Sequence, residues 1–214
     1  MQIAILLFEG ITPLDAVGPY EVLRSLPGAE VVFAGKRVGP VRSEGGRLGL
    51  IVDAELADVP RPDVVLVPGG PGQVALMDDE PVHAWLRAVD ATSAWTTSVC
   101  TGSLVLAAAG LLTGQRATSY WLALDQLGEL GAVPTAERVV VDGKYMTAAG
   151  VSAGIDMALT LAARLAGDSV AQALQLGVEY DPHPPFDAGS PRTAPAEIVA
   201  ALRARSRFIL QGTA

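Results

Sequence analysis

The chain reads as an α/β fold, a mostly parallel sheet sandwiched by helices, and three observations predict it. Continuous aliphatic runs such as Gln2 to Phe8 and Asp63 to Val67 have the character of strands buried on both faces. Segments of helical periodicity alternate with those runs, the order that yields parallel strands joined by crossovers. Half of the 214 residues are apolar and 18% are charged, a composition able to bury a core without a metal or disulfide staple. The reading is a single domain over 1–214, in which 181–214 form a proline-rich arm and a C-terminal helix.

The elements follow in order. Gln2 to Phe8, ended by Glu9-Gly10, is the first strand. Pro13 opens a helix that runs to Arg24, made imperfect by Gly18-Pro19 and stopped by Pro27-Gly28. Ala29 to Ala34 is the second strand, and Val38 to Val52, with Gly45-Gly46 at its middle, is a hairpin-like excursion. Asp63 to Val67 then runs into the loop Pro68-Gly69-Gly70-Pro71-Gly72, whose glycines let backbone approach a ligand. Asp79 to Val89 is a helix with Val82, Trp85, Leu86 and Val89 on one face, and Ala94 to Val99 is a strand. Thr101 to Leu112 and Trp121 to Leu130 read as helices. Arg138 to Val141 and Tyr145 to Thr147 form a hairpin turned at Asp142-Gly143. Val151 to Leu165 and Asp168 to Tyr180 are helical, Asp181 to Pro191 holds four prolines and is irregular, and Ala194 to Phe208 is a terminal helix.

Fifteen Lys and Arg against 23 Asp and Glu leave a net charge of −8, which disfavours nucleic acid and anionic membrane surfaces as partners. The longest apolar run, Leu104 to Leu112, falls far short of the ~20 residues of a membrane span. No basic residue precedes Met1 to Phe8 and no small-residue cleavage site follows it, so the expectation is an intact N-terminus and a cytoplasmic protein. A single cysteine excludes an internal disulfide and a multi-cysteine zinc module.

That cysteine, Cys100, falls between a strand and a helix, with Gly102 two residues on, the pattern of a nucleophile elbow. A sharp turn there projects the side chain into a crevice, where the free amides of the helix's first turn favour a thiolate. The two histidines offer no obvious base: His83 on a polar helix stretch and His183 in the arm both read as solvated. Asp15, at the first turn after strand one, shares the strand-end edge with Cys100 and Gly69-Gly70. A thiolate beside it would raise its pKa and make it a proton donor, later a base for water. The amides of Gly70 and Thr101 are expected to receive charge developing on the substrate. Ile11, Tyr120, Trp121 and Val151 adjoin loops at the same edge and are expected to line an apolar pocket.

These residues resemble the ThiJ/PfpI superfamily, with its glutamine-amidotransferase-like (flavodoxin-like) fold, and within it the isonitrile hydratase branch. The resemblance rests on Gly10-Ile11-Thr12-Pro13-Leu14-Asp15 with Gly18-Pro19-Tyr20-Glu21, Val67-Pro68-Gly69-Gly70 and Ser98-Val99-Cys100-Thr101-Gly102-Ser103. It also rests on Gly150-Val151-Ser152-Ala153-Gly154-Ile155-Asp156 and the arm Tyr180-Asp181-Pro182-His183-Pro184-Pro185-Phe186-Asp187. It implies hydration of an isonitrile to an N-substituted formamide by a homodimer that needs no metal or other cofactor. It maps catalytic roles onto Cys100, Thr101 and Asp15, and a thioimidate as the covalent intermediate. Many members of the branch carry histidine where this chain has Tyr120, so a histidine-assisted route is disfavoured. Protease and amidase members carry histidine directly after the cysteine, where Thr101 stands, which ranks those activities low. Two other classes remain at this point: a redox-sensing thiol, and a small-molecule binder like the sensing half of certain transcription regulators.

Overall fold

The computed structural model describes residues 1–206, and its centre is a seven-stranded sheet. Strand β1 (Gln2–Leu6) leads through α1 (Pro13–Leu23) to β2 (Glu30–Gly35). β3 (Gly39–Arg42) and β4 (Gly49–Val52) pair as a separate antiparallel hairpin, which ends in a short edge strand, β5 (Ala54–Glu55). β6 (Val64–Val67), α2 (Glu80–Asp90), β7 (Trp95–Val99) and α3 (Gly102–Ala108) follow. Beyond them come β8 (Arg116–Ala117), α4 (Gln126–Glu129) and β9 (Val133–Pro134), then the hairpin of β10 (Val139–Asp142) and β11 (Tyr145–Ala148). Helices α5 (Ala153–Ala166), α6 (Asp168–Gly177) and α7 (Ala196–Ala204) close the described chain.

The sheet order is β10-β11-β7-β6-β1-β2-β5, parallel throughout except for β10 against β11. Helices α1, α5 and α6 pack in series on one face, and α2, α3 and α4 on the other. Coverage on both sides explains why β6 and four of the five residues of β1 are fully buried and why their sequence is continuously aliphatic. The order also creates a switch point. From β1 the chain moves to one side of the sheet and from β6 to the other, which opens a crevice at the carboxyl ends where ligands of such folds bind.

Several expected elements are shorter. The Thr101–Leu112 helix stops at Ala108, because Gly110 takes a left-handed φ of +83° and the chain continues as turns. Of Trp121–Leu130 only Gln126–Glu129 is α-helical. The preceding residues wind by three-residue hydrogen bonds such as Ala123 N–H to Tyr120 O, and Gly128 weakens the helix further. The last turn of the expected 168–180 helix is replaced by Glu179 at φ +51°. The terminal helix occupies Ala196–Ala204, and Arg207 and Phe208, expected at its end, lie outside the described residues. His83 is not solvated. The turn Pro71–Leu76 covers it, and its Nε2 lies 2.7 Å from the Leu76 carbonyl. His183 is exposed, as expected. Among the described residues no helix is long and apolar enough to cross a membrane.

Candidate active site

Cys100 ends β7 with φ +57°, a left-handed conformation that a non-glycine residue adopts only when its surroundings enforce it. The enforcement is visible. The Cys100 N–H donates to the Ala148 carbonyl at 3.0 Å, and its own carbonyl accepts from the Ser103 and Ser119 hydroxyls at 3.1 Å each. The following helix presses against the loop after β6. A Cβ on Gly102 would stand 2.0 Å from the Val67 carbonyl oxygen, and one on Gly69 would stand 2.5 Å from the Thr101 nitrogen. Only glycines at both positions let the two strand ends close around the thiol.

Asp15 enters from the first turn of α1 and is fully buried. Its Oδ2 accepts the Gly69 N–H at 3.0 Å, the Cys100 thiol acts on the carboxyl as a hydrogen-bond donor, and Oδ1 has no further partner. Burial pushes its pKa from 3.8 up to about 7, opposed by the Gly69 amide and the thiol and reinforced by the charge of Glu44. The direction matches the sequence expectation but the leading cause is burial, not a neighbouring thiolate. For Cys100, burial and then the Asp15 charge push the thiol well above its ordinary range, outweighing the Thr101 N–H and hydroxyl that favour the thiolate. The helix amides therefore do not keep a resting thiolate. The thiol keeps its proton, and the acid exchanges its own near pH 7.

Thr101 is fully buried, and its Oγ1 accepts the Gly70 N–H at 3.0 Å. The Gly69 and Gly70 amides thus hold Asp15 and Thr101, and the Gly70 amide is not free to receive substrate charge as expected. The Thr101 N–H remains directed at Sγ. Thr101, Asp15, Gly69, Gly70 and Cys100 come together from three different strand ends.

Among the expected lining residues, Ile11 is fully buried and bridges Ser43, so it anchors the β3–β4 hairpin to the loop after β1. The half-buried Tyr120 ring lies against Gly150, where an added Cβ would meet it at 2.3 Å. The Trp121 indole N–H donates to its hydroxyl, the two rings meet edge to face at 6.1 Å, and Tyr120 senses both Cys100 and Glu44. Val151 is half-buried beyond Gly150. The Arg203 guanidinium lies 5.8 Å from the Trp121 ring, joining α7 to this edge. Sequence reasoning missed Glu44 and Ser119. Glu44 sits in a Ser-Glu-Gly-Gly turn that reads as an ordinary loop, and only the hairpin's docking on Ile11 brings it to the site. Among the described residues no cluster of His, Cys, Asp and Glu could hold a metal ion.

A left-handed cysteine at a strand-to-helix elbow, faced by a buried acid from the first crossover, defines a class of thiol-based α/β proteins. The DJ-1/PfpI family pattern matches residues 1–164, and the chain belongs to that family. It is 50% identical over 206 residues to an isonitrile hydratase of Pseudomonas putida, covering 96% of this chain and 90% of that one. The crystal structure of a ThiJ/PfpI family protein from Pseudomonas syringae superposes with a TM-score of 0.92 at 42% identity, over 95% of this chain and 84% of that one. Drosophila melanogaster DJ-1beta superposes at 0.76 with 26% identity, over 85% of this chain and 98% of that one.

Proposed function

We propose that this protein is an isonitrile hydratase, converting R–N≡C and water to R–NH–CHO by covalent catalysis at Cys100. The buried Asp15–Cys100 pair carries the reading, since addition to an isonitrile needs a nucleophile and a proton delivered to the same carbon. The 50% identity to the Pseudomonas putida enzyme over nearly the full length of both chains supports it.

In the reactive form Asp15 is a carboxylate and Cys100 a thiol. As Sγ bonds to the terminal carbon, Asp15 takes the thiol proton and delivers it to that carbon, giving the thioimidate R–N=CH–S. Charge developing on sulfur is met by the N–H and hydroxyl of Thr101. Asp15, again ionised, then accepts a proton from water as its oxygen attacks the carbon. The C–S bond breaks, nitrogen keeps one proton, sulfur recovers the other, and the formamide leaves. Tyr120, Trp121 and Val151 supply an apolar wall for the R group. A redox-sensing role is the weaker reading, because sensor thiols are exposed with a lowered pKa, and this one is buried with a raised pKa.

The finer expectations on assembly and compartment are part of the same proposal: a cytoplasmic homodimer. Leu176, Phe186, Ile198 and Leu202 are exposed along α6, the arm and α7, an apolar surface suited to a second copy. Light scattering at micromolar concentration should give twice the monomer mass. The activity test is incubation with cyclohexyl isocyanide while the N-formamide is followed, with Cys100→Ala and Asp15→Asn in parallel. Turnover lost in both variants is expected. An inactive wild type with its fold intact overturns the reading.

A further inference from the structure

We propose that Glu44 acts as a charge filter at the Cys100 site, admitting neutral or cationic electrophiles and disfavouring those that carry a carboxylate. The hairpin that carries it is stapled to the catalytic loops. The Glu44 N–H donates to the Ile11 carbonyl at 3.0 Å, and the Gly10 N–H donates to the Arg42 carbonyl at 2.8 Å. Thr12, whose hydroxyl donates to Glu44 Oε1 at 3.3 Å, has its own N–H on the Gly69 carbonyl at 3.0 Å. One short chain of contacts therefore runs from Glu44 through Thr12 to the glycine whose amide holds Asp15.

The carboxylate is exposed, and its charge reaches both Asp15, in the first turn of α1, and Tyr120, each of which also interacts with Cys100. It makes no ion pair with a described residue. The nearest cation along the hairpin, Arg42, directs its guanidinium to the Arg47 carbonyl. An anionic reagent approaching Cys100 thus passes a negative charge that no described residue pairs with, and is repelled by it where a neutral one is not. An exposed charge acting through solvent is worth under ~1 kcal/mol, about a three- to fivefold rate discrimination.

The first test is independent of the catalytic reading. Cys100 is the sole thiol, so alkylation reports on this site alone. Second-order rates are measured with iodoacetamide and iodoacetate, in which the sulfur–carbon bond forms, iodide leaves and the thiol proton passes to Asp15 or buffer. Changes in thiol reactivity cancel in the ratio of the two rates. Glu44→Gln is expected to lower the preference for the neutral reagent about three- to fivefold at low ionic strength, and the difference should collapse near 1 M salt. Glu44→Asp should retain most of it. An unchanged ratio in Glu44→Gln, or a change that persists at high salt, overturns the filter. The second test rests on the hydratase reading: kcat/KM for isocyanoacetate relative to cyclohexyl isocyanide should rise by a similar factor in Glu44→Gln. A shifted alkylation ratio with no turnover of either isonitrile refutes the hydratase and leaves the filter standing.

Discussion

Two buried aspartates sit at opposite edges of the same sheet, and their surroundings could hardly differ more. Asp90, at the edge where β7 begins, is bonded by the Thr96 hydroxyl at 2.6 Å and the Tyr145 hydroxyl at 3.3 Å, and paired with Lys144 Nζ at 3.0 Å. Asp15, at the carboxyl edge, has one backbone amide, a thiol and no cation. The partners separate the roles: Asp90, with a counter-ion and two hydroxyls, ties helix to strand, whereas Asp15, with one amide, a thiol and no cation, has its pKa raised by burial to about 7 and can move a proton. The strained Cys100 and the unpartnered Asp15 Oδ1 and Ser98 Oγ all gather toward the end of β7 and the crevice beside it.

Each edge can be broken separately. The largest effect is expected from Cys100→Ala, which removes the atom that bonds the substrate and should lower formamide production at least ~10³-fold with circular dichroism unchanged. Asp15→Asn should reduce kcat/KM by roughly 10²- to 10³-fold, because the proton carrier is gone. Its stability should move the other way. The folded pKa of about 7 exceeds the ordinary 3.8, so between those values the folded chain holds a proton that the unfolded chain has lost. Stability therefore falls as pH rises through that window, by at most ~4 kcal/mol at ~1.4 kcal/mol per unit. Relative to wild type, Asp15→Asn should gain stability from near pH 4 upward and keep the full gain above pH 7, read by urea melts. Loss of stability at pH 8 instead would mean that the ionised carboxylate of Asp15 is structural.

The pH dependence of the wild type sharpens the contrast. With Asp15 protonated below about pH 7, kcat/KM should drop tenfold for each unit of acid beyond it, since the active pair carries one proton rather than two. A flat profile from pH 5 to 8 would remove Asp15 as the proton carrier. The smallest effect belongs to the other edge. Lys144→Met leaves Asp90 without its cation, and because the lysine is one-third exposed the loss should be only about 1–2 kcal/mol, a fall in Tm of several degrees. Turnover at 25 °C should stay within twofold of wild type. A large loss of activity there would show that the two edges are coupled.

Much of this was legible from residues in order. The aliphatic runs located β1 and β6, the Gly45-Gly46 pair located the hairpin, and Cys100 before Gly102 announced the elbow. The short pieces were not. β5, β8 and β9 are held by pairing with distant segments rather than by local preference, and the Trp121–Leu130 periodicity gave way to tight turns. His83 follows the acidic run Asp78-Asp79-Glu80 and so reads as exposed, yet it is buried, with its Nε2 2.7 Å from the Leu76 carbonyl.

What the sequence determined by itself was the alternation of strands and helices, hence a parallel sheet, and the residue types that end its strands. Those follow from local pattern: apolar runs bury on both faces, and a cysteine between a strand and a helix with glycine two residues on marks an elbow. What only the tertiary structure decided was the electrostatics. Whether an aspartate is an acid or an anchor, which amide holds a side chain and which remains for substrate, and whether a hairpin glutamate's charge reaches Asp15 all depend on what packs beside each group, because desolvation and charge act through space and not along the chain.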